Sequence, residues 1–143
     1  DISGKIVAFQ GRHTGGDTPK YLFTPPGANL PLFPQVSPRQ GDIILVEGIF
    51  DMLNLHDKGI QNAVCCFGTN NINEDKLAIL SMQGVSRITI FFDGDEAGQK
   101  AATNVKVMSE KIGFRVRNVE LENLDPGALT ETQIRKLESK LYA

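Results

Sequence analysis

The sequence predicts an α/β fold: a parallel sheet of about four strands with helices on both faces. Three observations carry that prediction. Short, continuous apolar runs such as Asp42–Val46 (DIILV) alternate with longer segments of helical period. Gly59, Gly84 and Gly113 stand where the helical segments should stop. Strand and helix then alternate from Asp42 to the end of the chain, and such an order closes into a parallel sheet through short crossovers.

Each element has its own signal. Asp42–Val46 is apolar almost throughout, as a strand buried on both faces should be. Phe50–Lys58 reads as a helix ended by Gly59, and Gln61–Phe67 as the next strand. Asn73 is an N-cap candidate for a helix from Glu74 to Met82. Arg87–Phe92 is a third strand. Ala97, Ala101, Val105, Met108 and Ile112 share one stripe, so a helix should run from Glu96 to Ile112, with Gly113 past its end. Phe114–Leu121 alternates and makes a fourth strand. Thr130 could cap a last helix whose apolar face is Ile134, Leu137 and Leu141.

The front of the chain differs. Asp1–Phe9 reads as a strand, a tight turn and a second strand already under way. Six of the seven prolines fall between Gly15 and Gly41, which excludes a long helix or a central strand there. Tyr21, Leu22, Phe23, Leu30, Leu32 and Phe33 are too apolar for a free linker, so an ordered loop is expected. The chain thus divides into a front segment, 1–41, and an α/β domain, 42–143. It begins at Asp1 without methionine, as a piece of a longer protein would.

Composition narrows the function. The 143 residues suffice for a core without staples. No apolar run approaches the roughly 20 residues of a membrane span. Cys65 and Cys66 are adjacent and would point to opposite faces of a strand, so buried free thiols of a reducing compartment are expected rather than a disulfide or zinc site. A net charge of −2 does not advertise nucleic-acid binding. Yet Lys5, Arg12, Lys20 and Arg39 outweigh Asp1 and Asp17 in the front segment, leaving the rest acidic.

In parallel sheets, ligands bind beyond the carboxyl ends of the strands. The first strand of the α/β part exits at Glu47-Gly48, with Asp51 one helical turn on. The third exits at Asp93-Gly94-Asp95, two carboxylates able to aim at one point. The fourth is followed by Asp125. Taken singly, each acid reads equally well as a cap, turn or solvated residue. Together they would repel one another, and a hard divalent cation relieves such repulsion. An all-oxygen set with few fixed protein bonds suits Mg²⁺ or Mn²⁺ rather than zinc. Gly48, Gly94 and Gly98 leave room for a close approach. A strand ending in D-x-D also opens phosphatases of the haloacid dehalogenase type. Those usually carry Thr or Val where Ala97 stands, and they leave Glu47-Gly48 unexplained.

The motifs VEGIFDMLNL (Val46–Leu55), FGT (Phe67–Thr69) and FFDGDEAGQKAA (Phe91–Ala102) resemble those of Toprim domains, in wording nearest to bacterial-type and phage DNA primases and primase-helicases. GKIVAFQGRHTGGDTPKYLFTP (Gly4–Pro25) resembles the β-containing primase segment that precedes the Toprim core. The resemblance implies a Rossmann-like Toprim fold and, in the parent protein, RNA primer synthesis for DNA replication by metal-dependent nucleotidyl transfer. It implies Glu47, Asp93 and Asp95 as catalytic residues, and Glu47, Asp51, Asp93, Asp95 and Asp125 as metal ligands. It implies Arg12, Lys20, Gly48, Thr69, Gly94, Gly98 and Lys100 as contacts to nucleotide, phosphate or DNA. The partners implied are a single-stranded DNA template, ribonucleotide triphosphates and a replicative helicase in cis or in trans, with no membrane. The location implied is the cytoplasm of a bacterial or phage-infected cell.

The chain departs from the family in two places. Gly127 stands where a second aspartate follows Asp125 in a D-P-D motif. The Pro25–Arg39 loop looks short for a cellular primase, as in a phage or plasmid protein. Two alternatives within the same fold are a nuclease or topoisomerase-like domain, whose tyrosine would have to be Tyr21 or Tyr142, and a metal-dependent nucleotide- or DNA-binding module inactive on its own.

Overall fold

The computed structural model describes residues 3–16, 18–36, 41–122 and 124–142. Asp1 and Ile2 of the first expected strand lie outside these residues, as do Asp17, Pro38 and Arg39. By its internal contacts the chain forms two compact units, Asp1–Pro31 and Leu32–Ala143.

The first unit is a hairpin. Strand β1 (Phe9–Arg12) pairs antiparallel with β2 (Tyr21–Thr24), Phe9 facing Thr24 and Arg12 facing Tyr21. The strand expected soon after Gly4 begins only at Phe9. Tyr21–Thr24, expected as loop, is the strand that pairs with it. Prolines bracket that strand at Pro19 and Pro25 without entering it, and a hairpin edge tolerates such neighbours.

The second unit carries a four-stranded parallel sheet in the order β4-β3-β5-β6. Its strands are β3 (Asp42–Val46), β4 (Ala63–Cys65), β5 (Arg87–Ile90) and β6 (Arg115–Asn118). The helices are α1 (Ile49–Asp57), α2 (Glu74–Met82), α3 (Glu96–Ile112) and α4 (Glu131–Tyr142). Chain order runs outward from β3 to β4 and then returns past it to β5. The strand order therefore reverses between β3 and β5, and the carboxyl ends at such a reversal are where open α/β sheets bind ligands.

The pleat of β3 divides the core. Ile43 and Leu45 point to the face packed with Leu77 and Leu80 of α2 and with Ala102 and Val105 of α3. Ile44 and Val46 point to the other, packed with Met52 and Leu55 of α1 and with Ile134 and Leu141 of α4. A strand covered on both faces has no use for polar alternation, which is why DIILV reads as a continuous apolar run. The outer edge of β4 is also covered, because Phe33 forms an antiparallel bridge with Cys65. Val36 is buried in the same core, so this stretch of the proline-rich segment packs with the sheet.

Helix boundaries follow their caps. Asn73 accepts from Lys76 N at 3.0 Å and starts α2. Gly113, at φ 109°, adopts the left-handed conformation that ends α3. Strands β4, β5 and β6 are shorter than their apolar runs, although flanking residues still bond to the neighbouring strand, as Phe91 N–H does to the Leu45 carbonyl oxygen at 2.9 Å. Phe91 and Phe92 are fully buried beyond the end of β5. Cys65 and Cys66 are buried free thiols, as expected. Among the described residues, no helix is long and apolar enough to cross a membrane.

Leu45 sits on the central strand with no exposed surface. Leu45→Ala should cost about 3 kcal/mol, within the range for emptying a close-packed site. A loss of less than about 1 kcal/mol in the free energy of urea unfolding would contradict this account of the core.

Candidate active site

Five acids lie at or beyond the strand ends of the second unit. Glu47 follows β3 directly, and Asp93 lies three residues past the end of β5. The two meet across the strand-order reversal. Asp93 N–H donates to Glu47 Oε1 at 3.3 Å. The main chain of Glu47 is pinned from the other side. After β4 the chain turns through Phe67 at φ 56° and Gly68 at φ 96°, and Gly68 N–H donates to the Glu47 carbonyl oxygen at 2.9 Å. The Phe-Gly of the FGT motif thus serves as a bracket for Glu47. Thr69 begins the short 3-10 turn that follows.

Asp95 caps α3: its Oδ1 accepts from Gly98 N at 2.7 Å. Gly98 is required by closeness. A Cβ there would lie 2.4 Å from the Asp93 carbonyl oxygen and 3.0 Å from Glu47 Oε1. Gly94 N–H donates to the Leu124 carbonyl oxygen at 2.9 Å, tying this turn to the segment before Asp125. Lys100 is exposed on the first turns of α3.

Asp51 does something that its spacing did not reveal. Its Oδ2 accepts from Gly48 N at 2.7 Å, fixing the start of α1. The Gly127 main chain lies beside the same carboxylate and favours its ionised form. Asn54, one turn along α1, donates from Nδ2 to the carbonyl oxygens of Pro126 at 2.8 Å and Leu129 at 3.0 Å. Asp51 and Asn54 therefore clamp the loop that carries Asp125, which is itself exposed. Asn54 was not singled out from the sequence. Only its place on the Asp51 side of α1 could have pointed to it.

The clustering shows in the titration of the acids. Burial pushes the Glu47 carboxyl up from 4.5 to about 7, with Asp93 adding the next largest contribution. Burial likewise raises Asp51 from 3.8 to about 6, opposed by the Gly48 N–H and reinforced by Asp93 and Asp125. The nearby thiols stay protonated, since burial pushes Cys65 up to about 12 and Cys66 well above its ordinary value. Among the described residues, no three His, Cys, Asp or Glu side chains are drawn together tightly enough to hold an ion as placed. The donor chemistry nonetheless fits a hard cation: the donors are carboxylate oxygens alone, and two of them are pushed up by mutual repulsion and burial.

The expected cations of the first unit gather around one ring. Arg12 and Lys20 lie 5.6 and 5.7 Å from the centre of Tyr21. Beside them the hairpin loop borders an open surface cavity of about 510 Å³ lined by Arg12, His13, Lys20 and residues 14–16.

Comparison with known proteins agrees with this fold. Residues 44–130 match the family model described as Toprim-like. The chain belongs to the Toprim-like family. A DNA primase of Pseudomonas aeruginosa is 34% identical over 149 aligned residues, covering 93% of this chain and 22% of that protein. The Aquifex aeolicus primase, solved as its zinc-binding and RNA polymerase domains, superposes with a TM-score of 0.77 at 28% identity, over 98% of this chain and 38% of that one. A primase catalytic domain bound to ssDNA superposes at 0.68 with 27% identity, over 98% of this chain and 46% of that one. The Toprim-like chain thus spans about a fifth of the length of the Pseudomonas relative.

Two outcomes follow. Glu47 and Asp51 bind protons more tightly folded than unfolded, so their contribution to stability is full at low pH and is lost as pH rises through about 7. Without divalent ions the melting temperature should fall between about pH 5 and about pH 8, and added Mn²⁺ should raise it more at the upper value. A rise equal at both pH values would contradict the coupling. Gly98→Ala, which forces a methyl onto the Asp93 carbonyl, should cost about 1–3 kcal/mol in chemical unfolding. A neutral result would mean that the first turn of α3 is free to move away.

Proposed function

We propose that the protein carrying this chain is a DNA primase, and that the acids around Glu47 and Asp93 form its cation-dependent nucleotidyl-transfer site. The observation that carries the reading is the contact between Asp93 N and Glu47 Oε1 at 3.3 Å, in a chain whose family and relatives are Toprim-like and primase. In this reading residues 1–41 close the preceding part of the catalytic core and 42–143 form the Toprim domain.

The reaction joins ribonucleotides on a single-stranded DNA template. A 3′-hydroxyl attacks the α-phosphorus of a ribonucleoside triphosphate. A P–O bond forms, the α–β bridging bond breaks, and pyrophosphate leaves. Divalent cations, Mg²⁺ or Mn²⁺, would supply charge neutralisation on the phosphates and activation of the attacking oxygen. Asp93, Asp95 and Glu47 would hold them, Asp95 through the oxygen not spent on capping α3.

Without a cation Glu47 is raised to about 7 and can take up a proton near neutral pH; a bound cation would favour its ionised form. Asp51 has its carboxylate engaged by the Gly48 N–H, and it lies against the Asp125 loop at Gly127. Asp125 completes the acidic rim. Arg12 and Lys20 bind phosphate or template, as do Thr69 and Lys100, while Gly48, Gly94 and Gly98 keep side chains out of the way. The partners in this reading are ssDNA, ribonucleotide triphosphates and a replicative helicase, in the cytoplasm of a bacterial or phage-infected cell.

The test is primer synthesis by the full-length protein on single-stranded DNA with labelled ribonucleotides and Mg²⁺ or Mn²⁺. Asp93→Asn combined with Asp95→Asn should lower the rate at least about 100-fold, the scale of losing a charge-stabilising group. Undiminished synthesis by that variant would refute the assignment.

A further inference from the structure

Asp93 has a support outside its own motif. Gln99, in the second turn of α3, donates from Nε2 to the Asp93 carbonyl oxygen at 3.1 Å. Its other end, Oε1, accepts from Asn118 Nδ2 at 2.9 Å, at the exit of β6. The direction of this chain is fixed by its first member. A main-chain carbonyl can only accept, so Gln99 turns its NH₂ to Asp93 and its oxygen to Asn118, which must answer with its own NH₂. Among the described residues, the Asn118 Oδ1 atom has no hydrogen-bond partner.

The Asp93 peptide groups are therefore held on both sides. Its N–H goes to Glu47 and its C=O to Gln99. Asp93 lies past the end of β5, where no ladder sets its backbone angles. These two bonds take the ladder's place, and they set the direction in which Asp93 and then Asp95 leave the sheet.

We propose that Gln99 is a positioning residue, oriented by Asn118, that fixes the Asp93-Gly94-Asp95 turn in register with Glu47 for cation binding. The inference rests on the reading of these acids as a cation site. It assigns Gln99 no contact with substrate or ion.

The experiment is an Mn²⁺ titration of the full-length protein, followed by the electron paramagnetic resonance of free Mn²⁺, with melting curves in parallel. Gln99→Leu should bind Mn²⁺ about tenfold more weakly while remaining folded, the scale of losing an outer support of a metal ligand. Asn118→Ala should act in the same direction. The double variant should be no worse than Gln99→Leu alone, because the two residues act in series. A role in packing alone would lower the melting temperature and leave the Mn²⁺ affinity of the folded protein unchanged. That result overturns the proposal. Should Gln99→Leu fail to fold, the Asn118→Ala titration decides in the same way. Asp93→Asn separates the two levels: if it binds Mn²⁺ as well as the unsubstituted protein, or if that protein binds none, the cation reading falls and this inference with it. If Asp93→Asn loses Mn²⁺ and Gln99→Leu does not, the inference alone falls.

Discussion

The arrangement depends on how closely α3 approaches the exit of β5. At Gly98 there is no room for even a methyl group, because the Asp93 carbonyl oxygen occupies its place and Glu47 Oε1 stands beside it. That closeness lets Asp95 cap the helix through Gly98 N while Asp93 reaches Glu47 with its own N–H. A larger residue at 98 would push the first turn of α3 away and separate all three acids. One missing side chain thus sets the spacing of the charges, which local helix propensity would oppose, since glycine weakens a helix interior.

Crowding acids at this edge has an electrostatic consequence. Glu47 and Asp51 are each partly buried, and neighbouring carboxylates raise both further. A site built this way favours either a proton or a cation, and near neutral pH a divalent cation is the stronger competitor for clustered carboxylates. The same geometry disfavours two rival readings. A phosphatase using Asp93 as nucleophile would have no role for Glu47 against its main chain. A topoisomerase-like role for Tyr142 meets the opposite end of the sheet: its hydroxyl donates to Asn62, just ahead of β4, while the acids lie past the strand exits.

What the sequence made legible was whatever depends on neighbours in the chain. Asp42–Val46 was readable because burial on both faces leaves an unbroken apolar run, and α3 was bounded correctly by an aspartate cap and a left-handed glycine. The hairpin β1–β2 was not readable in its register. Its strands are largely exposed, so no apolar alternation marks which residues face each other. The supports of the site were hidden for a related reason. Asn54 reaches Pro126 across 72 residues, and Asn118 reaches Gln99 across 19. Polar pairs at such separation leave no period or spacing to detect.

The departure at residue 127 has a physical explanation of the same kind. An acid expected there by resemblance would need a Cβ 2.7 Å from Asp51 Oδ1 and 3.1 Å from Asp125 Oδ1, with its own charge added to theirs. Glycine instead lets its main chain approach Asp51 without a side chain, and Asn54 secures the rest of the loop. The missing acid and the engaged Asp51 are therefore one feature. Where a third carboxylate would repel, a glycine main chain fits, and Asp51, accepting from Gly48 N–H, braces the loop that holds Asp125. The strand-order reversal, Gly98 and the Gln99–Asn118 pair serve the Glu47–Asp93–Asp95 side.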